Sequence, residues 1–179
     1  GFTVDDITVT NANVSGFTVV DGDTYTATIT PIAEGQVTVD VGSSTALDTA
    51  SNGNTAASQA IANYDLTNPT VTIQGVPADS NTAFTATFQF SESVIGFDVS
   101  DISVTNATVS GFAQTDGDTY TALITPIAEG AYSIDVAGSV VTDNATNDNS
   151  AATQAAGNYD ASLPTVAILN VPANPNAAF

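Results

Sequence analysis

An all-β chain assembled from tandem repeats is predicted by three features of the sequence. Short runs of Val, Ile, Thr, Tyr and Phe alternate with polar residues, the chain repeats itself at a constant spacing, and i, i+3, i+4 apolar patterning is nowhere sustained. Gly1-Phe2 returns as Gly96-Phe97 (96 − 1 = 95), Asp21-Gly22-Asp23 as Asp116-Gly117-Asp118, Tyr64-Asp65 as Tyr159-Asp160, and Val76-Pro77 as Val171-Pro172. All these pairs are 95 apart with no insertion, and only residues 85–95 lack a second copy. The chain therefore reads as a window on a longer array that starts and stops inside a unit. The expected divisions are a repeat at 1–67 lacking its first two strands, a complete repeat at 68–162, and the first strand of a following repeat at 163–179.

Within the complete repeat the elements follow in order. Residues 71–74 alternate Val and Ile with Thr and Gln, a half-buried strand. At 84–90, Phe84, Ala86, Phe88 and Phe90 share one face with Thr and Gln opposite. Strands at 102–105 and 108–114 carry Ile102, Val104, Val109 and Phe112. The dipeptide Asp116-Gly117, like Asp21-Gly22, is a hairpin turn that leads into a strand at 119–125. At 131–136, Tyr132, Ile134 and Val136 line one face while Ser133 and Asp135 line the other, and 152–159 closes the unit. Asn68-Pro69 and Leu163-Pro164 mark the boundaries, because proline interrupts strand pairing. Seven short strands in about 95 residues is the pattern of an immunoglobulin-like β-sandwich. With linkers of a few residues, neighbouring repeats are expected to touch.

Composition narrows function by exclusion. The 179 residues hold 19 Asp plus Glu and no Lys, Arg, His, Cys, Met or Trp, for a net charge of −19. An average chain of this length carries roughly twenty basic residues. Without them there is no cationic surface for nucleic acid or anionic lipid. Triads that need His, Cys or Lys cannot be built, and neither can Cys/His zinc sites or disulfides. Glycoside hydrolysis by paired carboxylates is chemically open, but no aromatic cleft is apparent and every candidate pair occurs in both repeats, so no enzyme is expected. No apolar run approaches the roughly twenty residues of a membrane span. Residues 1–6 have neither a basic n-region nor an apolar h-region, so no signal peptide is expected there.

The residues resemble the bacterial Ig-like tandem repeats of giant surface adhesins and biofilm-associated, RTX-type proteins. The resemblance rests on Phe90-Ser-Glu92-Ser-Val94-Ile-Gly96-Phe97, on Asp101-Ile102-Ser-Val104-Thr-Asn106-Ala107, on Tyr120-Thr-Ala122-Leu-Ile124-Thr-Pro126-Ile-Ala128-Glu-Gly130, and on the stretch from Asp143 to Asn147. One departure stands out. Related repeats read Asp-x-Ala-Gly-Asn in the last loop, and here Ser51 and Thr146 replace the glycine. The resemblance implies an extracellular stalk, on the cell surface or in a biofilm matrix, whose domain junctions hold calcium.

Strand direction leads to the same ion without the family. If seven strands run alternately down and up a sandwich, one pole collects Glu92, Asp98, Asp101, Asp116, Asp118, Asp143 and Asp148, with Asn144, Asn147 and Asn149 beside them. Asp65, at the end of the preceding unit, would abut that pole. Two carboxylates 4 Å apart repel by roughly 4 kcal/mol at an effective dielectric of 20. With no Lys or Arg, what remains is raised pKa values, salt screening or a bound cation. A hard cation taking six to eight oxygen ligands is Ca²⁺. The candidate ligands are Asp65, Glu92, Asp98, Asp101, Asp143 and Asn147, together with the repeat counterparts Asp48, Asn52 and Asp160. Asx-rich loops are also ordinary turn chemistry, so turn roles stay open for Asp143 and Asn147, and solvated-loop roles for Glu92 and Asp65. Asp116-Gly117-Asp118 reads as a hairpin turn, Glu34 and Glu129 as turn acids at the other pole, and Asp40 and Asp135 as solvated strand residues.

The function expected from these readings is that of a structural extender in a bacterial adhesin or matrix fibre, stiffened by Ca²⁺ at domain junctions. Its partners would be neighbouring repeats and, in a fibre, like chains. Two alternatives stand beside it. One is a subunit of a self-assembling extracellular filament in which another subunit supplies a strand to the first repeat. The other is a carbohydrate- or surface-binding module.

Overall fold

The computed structural model describes residues 1–169. The second strand-rich unit is the complete one. Its elements are β6 (Val71–Gln74), β7 (Asp79–Ser80), β8 (Phe84–Phe90), β9 (Ile102–Thr105), β10 (Ala107–Gln114), β11 (Thr119–Pro126), β12 (Gly130–Val136) and β13 (Ala155–Tyr159). Two four-stranded sheets form, in the orders β10-β11-β8-β6 and β7-β13-β12-β9. Their inner faces carry the alternating apolar residues anticipated from the sequence. Ala86, Phe88, Ala122, Ile124, Ile134 and Val136 are fully buried. Phe97 sits among Phe88, Phe90, Phe112 and Tyr120 with ring centroids 5.0–5.7 Å away. Edge-to-face packing of this kind adds to the area term that holds the sheets together.

The first strand is split between the sheets, which the sequence pattern did not reveal. β6 pairs antiparallel with β8, and β7 then pairs in parallel with β13 on the opposite sheet. Gly75 makes the crossing possible. Its φ is +73°, and a Cβ there would lie 2.8 Å from the Thr85 carbonyl oxygen. Pro77 follows, and it has no N–H to offer a ladder. The final strand is shorter than the expected 152–159, because the ladder with β12 begins only where Ala155 faces Ile134.

The first unit contains β1 (Ile7–Thr10), β2 (Ala12–Val19), β3 (Tyr25–Pro31), β4 (Gly35–Val41) and β5 (Ala60–Tyr64). They form a β1-β4-β5 sheet and a β2-β3 hairpin, and they correspond one for one to β9 through β13. Gly16 and Gly111 both have φ of +58°, at matched breaks in the β2-β3 and β10-β11 registers. Each marks a bulge that needs a left-handed residue. The only helical elements among the described residues are two 3-10 turns, Val4–Asp6 and Val99–Asp101.

Candidate functional site

The last loop of each repeat is built around an aspartate that folds the chain onto itself. In the second repeat the Asp143 backbone N–H donates to the Asn147 carbonyl at 3.1 Å. Asp143 Oδ1 accepts the Asn147 N–H and Oδ2 accepts the Asn147 side-chain amide, both at 2.9 Å. The first repeat repeats this geometry. Asp48 Oδ1 accepts from the backbone of Ala50 and Asn52 at 2.8 Å, and Oδ2 from the Asn52 amide at 2.9 Å. Bridges Leu47↔Gly53 and Thr142↔Asp148 close the two loops.

The residues that replace glycine carry the strain of this turn. Ser51 and Thr146 have φ of +66° and +72°. The left-handed region costs a non-glycine residue about 1–2 kcal/mol, and a β-branched one is a genuine outlier there. Thr146→Gly is therefore expected to stabilise the protein by about 1 kcal/mol after the entropy that glycine adds to the unfolded chain. Urea unfolding should show a raised midpoint with an unchanged slope, and Ser51→Gly should gain less.

A second residue in the loop was missed as a structural element. Asn149 is 2% exposed. Its Oδ1 accepts the backbone N–H groups of Val140 and Val141 at 2.9 and 3.0 Å, and its amide donates to the Ala137 and Ser150 carbonyls at 2.9 Å. Asn54 makes the matching bonds to Thr45, Ala46, Gly42 and Thr55. The signal was the Asn-x-Asn spacing, Asn52 to Asn54 and Asn147 to Asn149. Its second Asn serves as a backbone clamp.

Equal local geometry does not give the two aspartates equal surroundings. Asp48 is exposed, whereas Asp143 is 2% exposed. Residues 142–148 group with residues 1–68 in the first compact unit. There the Asn147 amide also donates to the Asp65 carbonyl oxygen at 3.1 Å, and Asp65 and Asp143 bring carboxylate oxygens within 4.8 Å of each other. Burial pushes the Asp143 carboxyl up. Hydrogen bonds from the Asn147 side chain, and from the backbone of Asn147, Ala145 and Thr146, outweigh it and hold the group below its usual 3.8. Asp143 is thus kept as an anion in a buried place, in a chain with no Lys, Arg or His. The two carboxylates and the Asp65 carbonyl are oxygen ligands of the kind a hard divalent cation prefers, while Asn147 presents its amide N–H to Asp143 and to that carbonyl.

The remaining sequence candidates have other surroundings. Asp98 and Asp101 form a capping box on the Val99–Asp101 turn. Asp98 Oδ1 accepts from the Ser100 backbone at 2.7 Å and the Ser100 hydroxyl at 2.6 Å, and Asp101 Oδ2 accepts the Asp98 N–H at 2.8 Å. The Ser100 hydroxyl and backbone hold the Asp98 carboxyl below 3.8. Asp160 Oδ1 caps the Ser162 N–H at 2.8 Å, as Asp65 Oδ1 caps Thr67 at 2.9 Å. Glu92 is half-buried just beyond β8. Asp116 closes its turn through the Asp118 and Thr119 N–H groups at 3.2 and 2.9 Å, in keeping with a hairpin. Glu34 and Glu129 accept from Thr67 and Ser162 hydroxyls at 2.7 and 2.6 Å, so they tether the segments after β5 and β13. Asp40 accepts from Gln59 at 2.7 Å.

A model of the bacterial Ig-like domain matches residues 1–64 and 65–161. Comparison with curated proteins found no match. No helix among the described residues is long and apolar enough to cross a membrane.

Proposed function

The chain belongs to the bacterial Ig-like domain family, and from that premise we propose that it is an extender segment of an extracellular adhesin or matrix fibre, stiffened by bound Ca²⁺. Domains of this family are typically non-enzymatic surface or extender modules. Repetition of one fold suits a spacer, which needs length and no unique site in any unit. The metal reading centres on Asp65 and Asp143, whose carboxylate oxygens lie within 4.8 Å of each other, with Asn147 orienting Asp143.

The observation that carries the metal reading is the 2%-exposed Asp143 beside a second carboxylate in a protein of net charge −19. A buried carboxylate close to a second, half-buried one and without a counter-charge is costly, and a divalent cation lowers the cost. Extracellular calcium modules bind at about 10⁻⁴–10⁻³ M. Calorimetry of the full chain in 10 mM CaCl₂ against excess EDTA should then show Tm higher by on the order of 5 °C or more. Mg²⁺ at the same concentration should do less, because it demands octahedral geometry and sheds water reluctantly. Asp143→Ala should abolish the calcium increment. Equal melting in calcium and EDTA, with no heat in a calcium titration, would remove the ion from the site and leave the spacer role resting on the family alone.

A further inference from the structure

The last loops of the two repeats share one bond pattern and differ in a residue that matters for covalent chemistry. The Asp48 N–H donates to the Asn52 carbonyl at 3.0 Å, as the Asp143 N–H does to the Asn147 carbonyl at 3.1 Å. Each aspartate also holds the side-chain amide of that asparagine on Oδ2 at 2.9 Å. The residue that follows the asparagine is Gly53 in the first repeat and Asp148 in the second. Asn52-Gly53 is the only Asn-Gly pair in the 179 residues.

An asparagine side chain carries an electrophilic carbon within reach of the next backbone nitrogen. That nitrogen is shielded by a hydrogen bond of its own or by the Cβ of its residue, and Gly53 has no Cβ. Gly53 faces Leu47 in an isolated bridge. The bonds of that bridge come from the flanking residues, Asp48 to Asn52 and Asn54 to Ala46, each at 3.0 Å. The Gly53 N–H therefore lies outside the bonded pairs. In the complete repeat the bridge Thr142↔Asp148 is likewise flanked by Asp143 to Asn147 and Asn149 to Val141, at 3.1 and 3.0 Å. An amide outside the ladder at this position is thus a property of the loop itself, and only its glycine is special to the first repeat.

We propose that Asn52 is a self-modification site, converted to aspartate and its β-linked isomer with the Gly53 nitrogen as nucleophile. That nitrogen bonds to Asn52 Cγ as the Cγ–Nδ2 bond breaks, and the Gly53 amide proton departs with the amide group as ammonia. Water then opens the succinimide ring. Opening at Cγ restores the ordinary main chain with an aspartate at position 52. Opening at the main-chain carbonyl routes the chain through Cβ and Cγ and turns the old carbonyl into a free carboxylate. One water enters, one ammonia leaves, and no other reactant is needed. Both products set a new carboxylate against Asp48 in a chain with no Lys, Arg or His. The β-linked product also takes out of the main chain the carbonyl that accepts the Asp48 N–H, and it adds an atom between two bonds that share one register. The last loop of the first repeat opens irreversibly, while that of the second stays closed. The step uses neither Asp65 nor Asp143, so it stands or falls apart from the cation reading.

The test stores the full chain at physiological pH and temperature and follows each asparagine by chymotryptic peptide mapping, since trypsin has no site to cut. Conversion is expected at Asn52 as the mass gain of exchanging NH₂ for OH, with both isomers resolved by electron-transfer fragmentation and a rate that rises with pH. It should run at least about tenfold faster than at Asn147 in the same molecules, the factor that a barrier about 1.4 kcal/mol lower gives. Gly53→Asp, which copies the second repeat, should bring the rate down to that of Asn147. In the converted fraction the Asp48 and Asn54 amides should exchange hydrogen faster. The effect should be larger for the β-linked isomer than for Asn52→Asp, which has the charge without the extra atom. An unmodified Asn52, equal conversion at Asn147, a Gly53→Asp variant that is not slowed, or unchanged exchange at Asp48 would overturn the proposal.

Discussion

Gly157→Ala is expected to destabilise the second unit by about 3 kcal/mol, the upper part of the usual overpacking range. A Cβ at this position would overlap both the Pro77 carbonyl oxygen and the Tyr132 hydroxyl. Neither can retreat easily. Tyr132 is 1% exposed, and its hydroxyl donates to that same carbonyl at 2.5 Å. The ring lies directly across the ladder, since Tyr132 and Gly157 are register partners. The first repeat shows what relieves the clash, because there the partners are Val37 and Ala62. Tyr132→Val alone should also cost about 3 kcal/mol, through the cavity it leaves. Added to Gly157→Ala, it should cost clearly less than the sum, with a coupling of about 1–3 kcal/mol in a urea-denaturation cycle. Strict additivity would mean that the ring and the missing methyl are not in competition.

The second large effect is expected at Asn149. Replacement by Ala would leave two backbone N–H groups and two carbonyls without the partner they have now. Each buried polar group left unmade costs about 1–3 kcal/mol, and water can reach some of them, so about 3 kcal/mol in total is expected. Asn149→Asp should not rescue, because the new oxygen would face the Ala137 and Ser150 carbonyls as one acceptor against others. Amide exchange at Val140 and Val141 should accelerate in both variants. Asn54→Ala provides the comparison: it loses the same bonds in a half-buried setting, so its loss should be smaller. Equal losses at both positions would mean that burial is not what sets the cost.

Much of the fold was legible because it depends on local periodicity. The alternation at Phe84 to Phe90 and at Tyr132 to Val136 names the buried faces directly, and Asp-Gly at 21–22 and 116–117 names the turns. The parallel pair β7-β13 was not legible. Two residues carry no period, and the pairing joins positions about eighty apart in the chain. The Tyr132–Pro77–Gly157 contact was hidden for a similar reason, since a glycine in a strand says only that something approaches closely. In the candidate site, Asp48 and Asp143 have the same local pattern and opposite exposure, so no reading of the loop alone separates them. Asp98 and Asp101 had a legible alternative. Asp-x-x-Asp ahead of an apolar residue resembles a capping box, and the structure assigns both carboxylates to that cap.

The paired exchange of Tyr and Gly for Val and Ala bears on how a tandem array of near-copies avoids assembling wrongly. Adjacent modules of similar sequence misfold by trading equivalent strands while the chain emerges. Were β12 to capture β5 in place of β13, the Ala62 methyl would be driven against the Tyr132 ring and the Pro77 carbonyl. A single methyl group thus acts as an identity tag that penalises the hybrid and leaves each proper pairing untouched. Recombination that shuffles these repeats would have to move both members of the pair together.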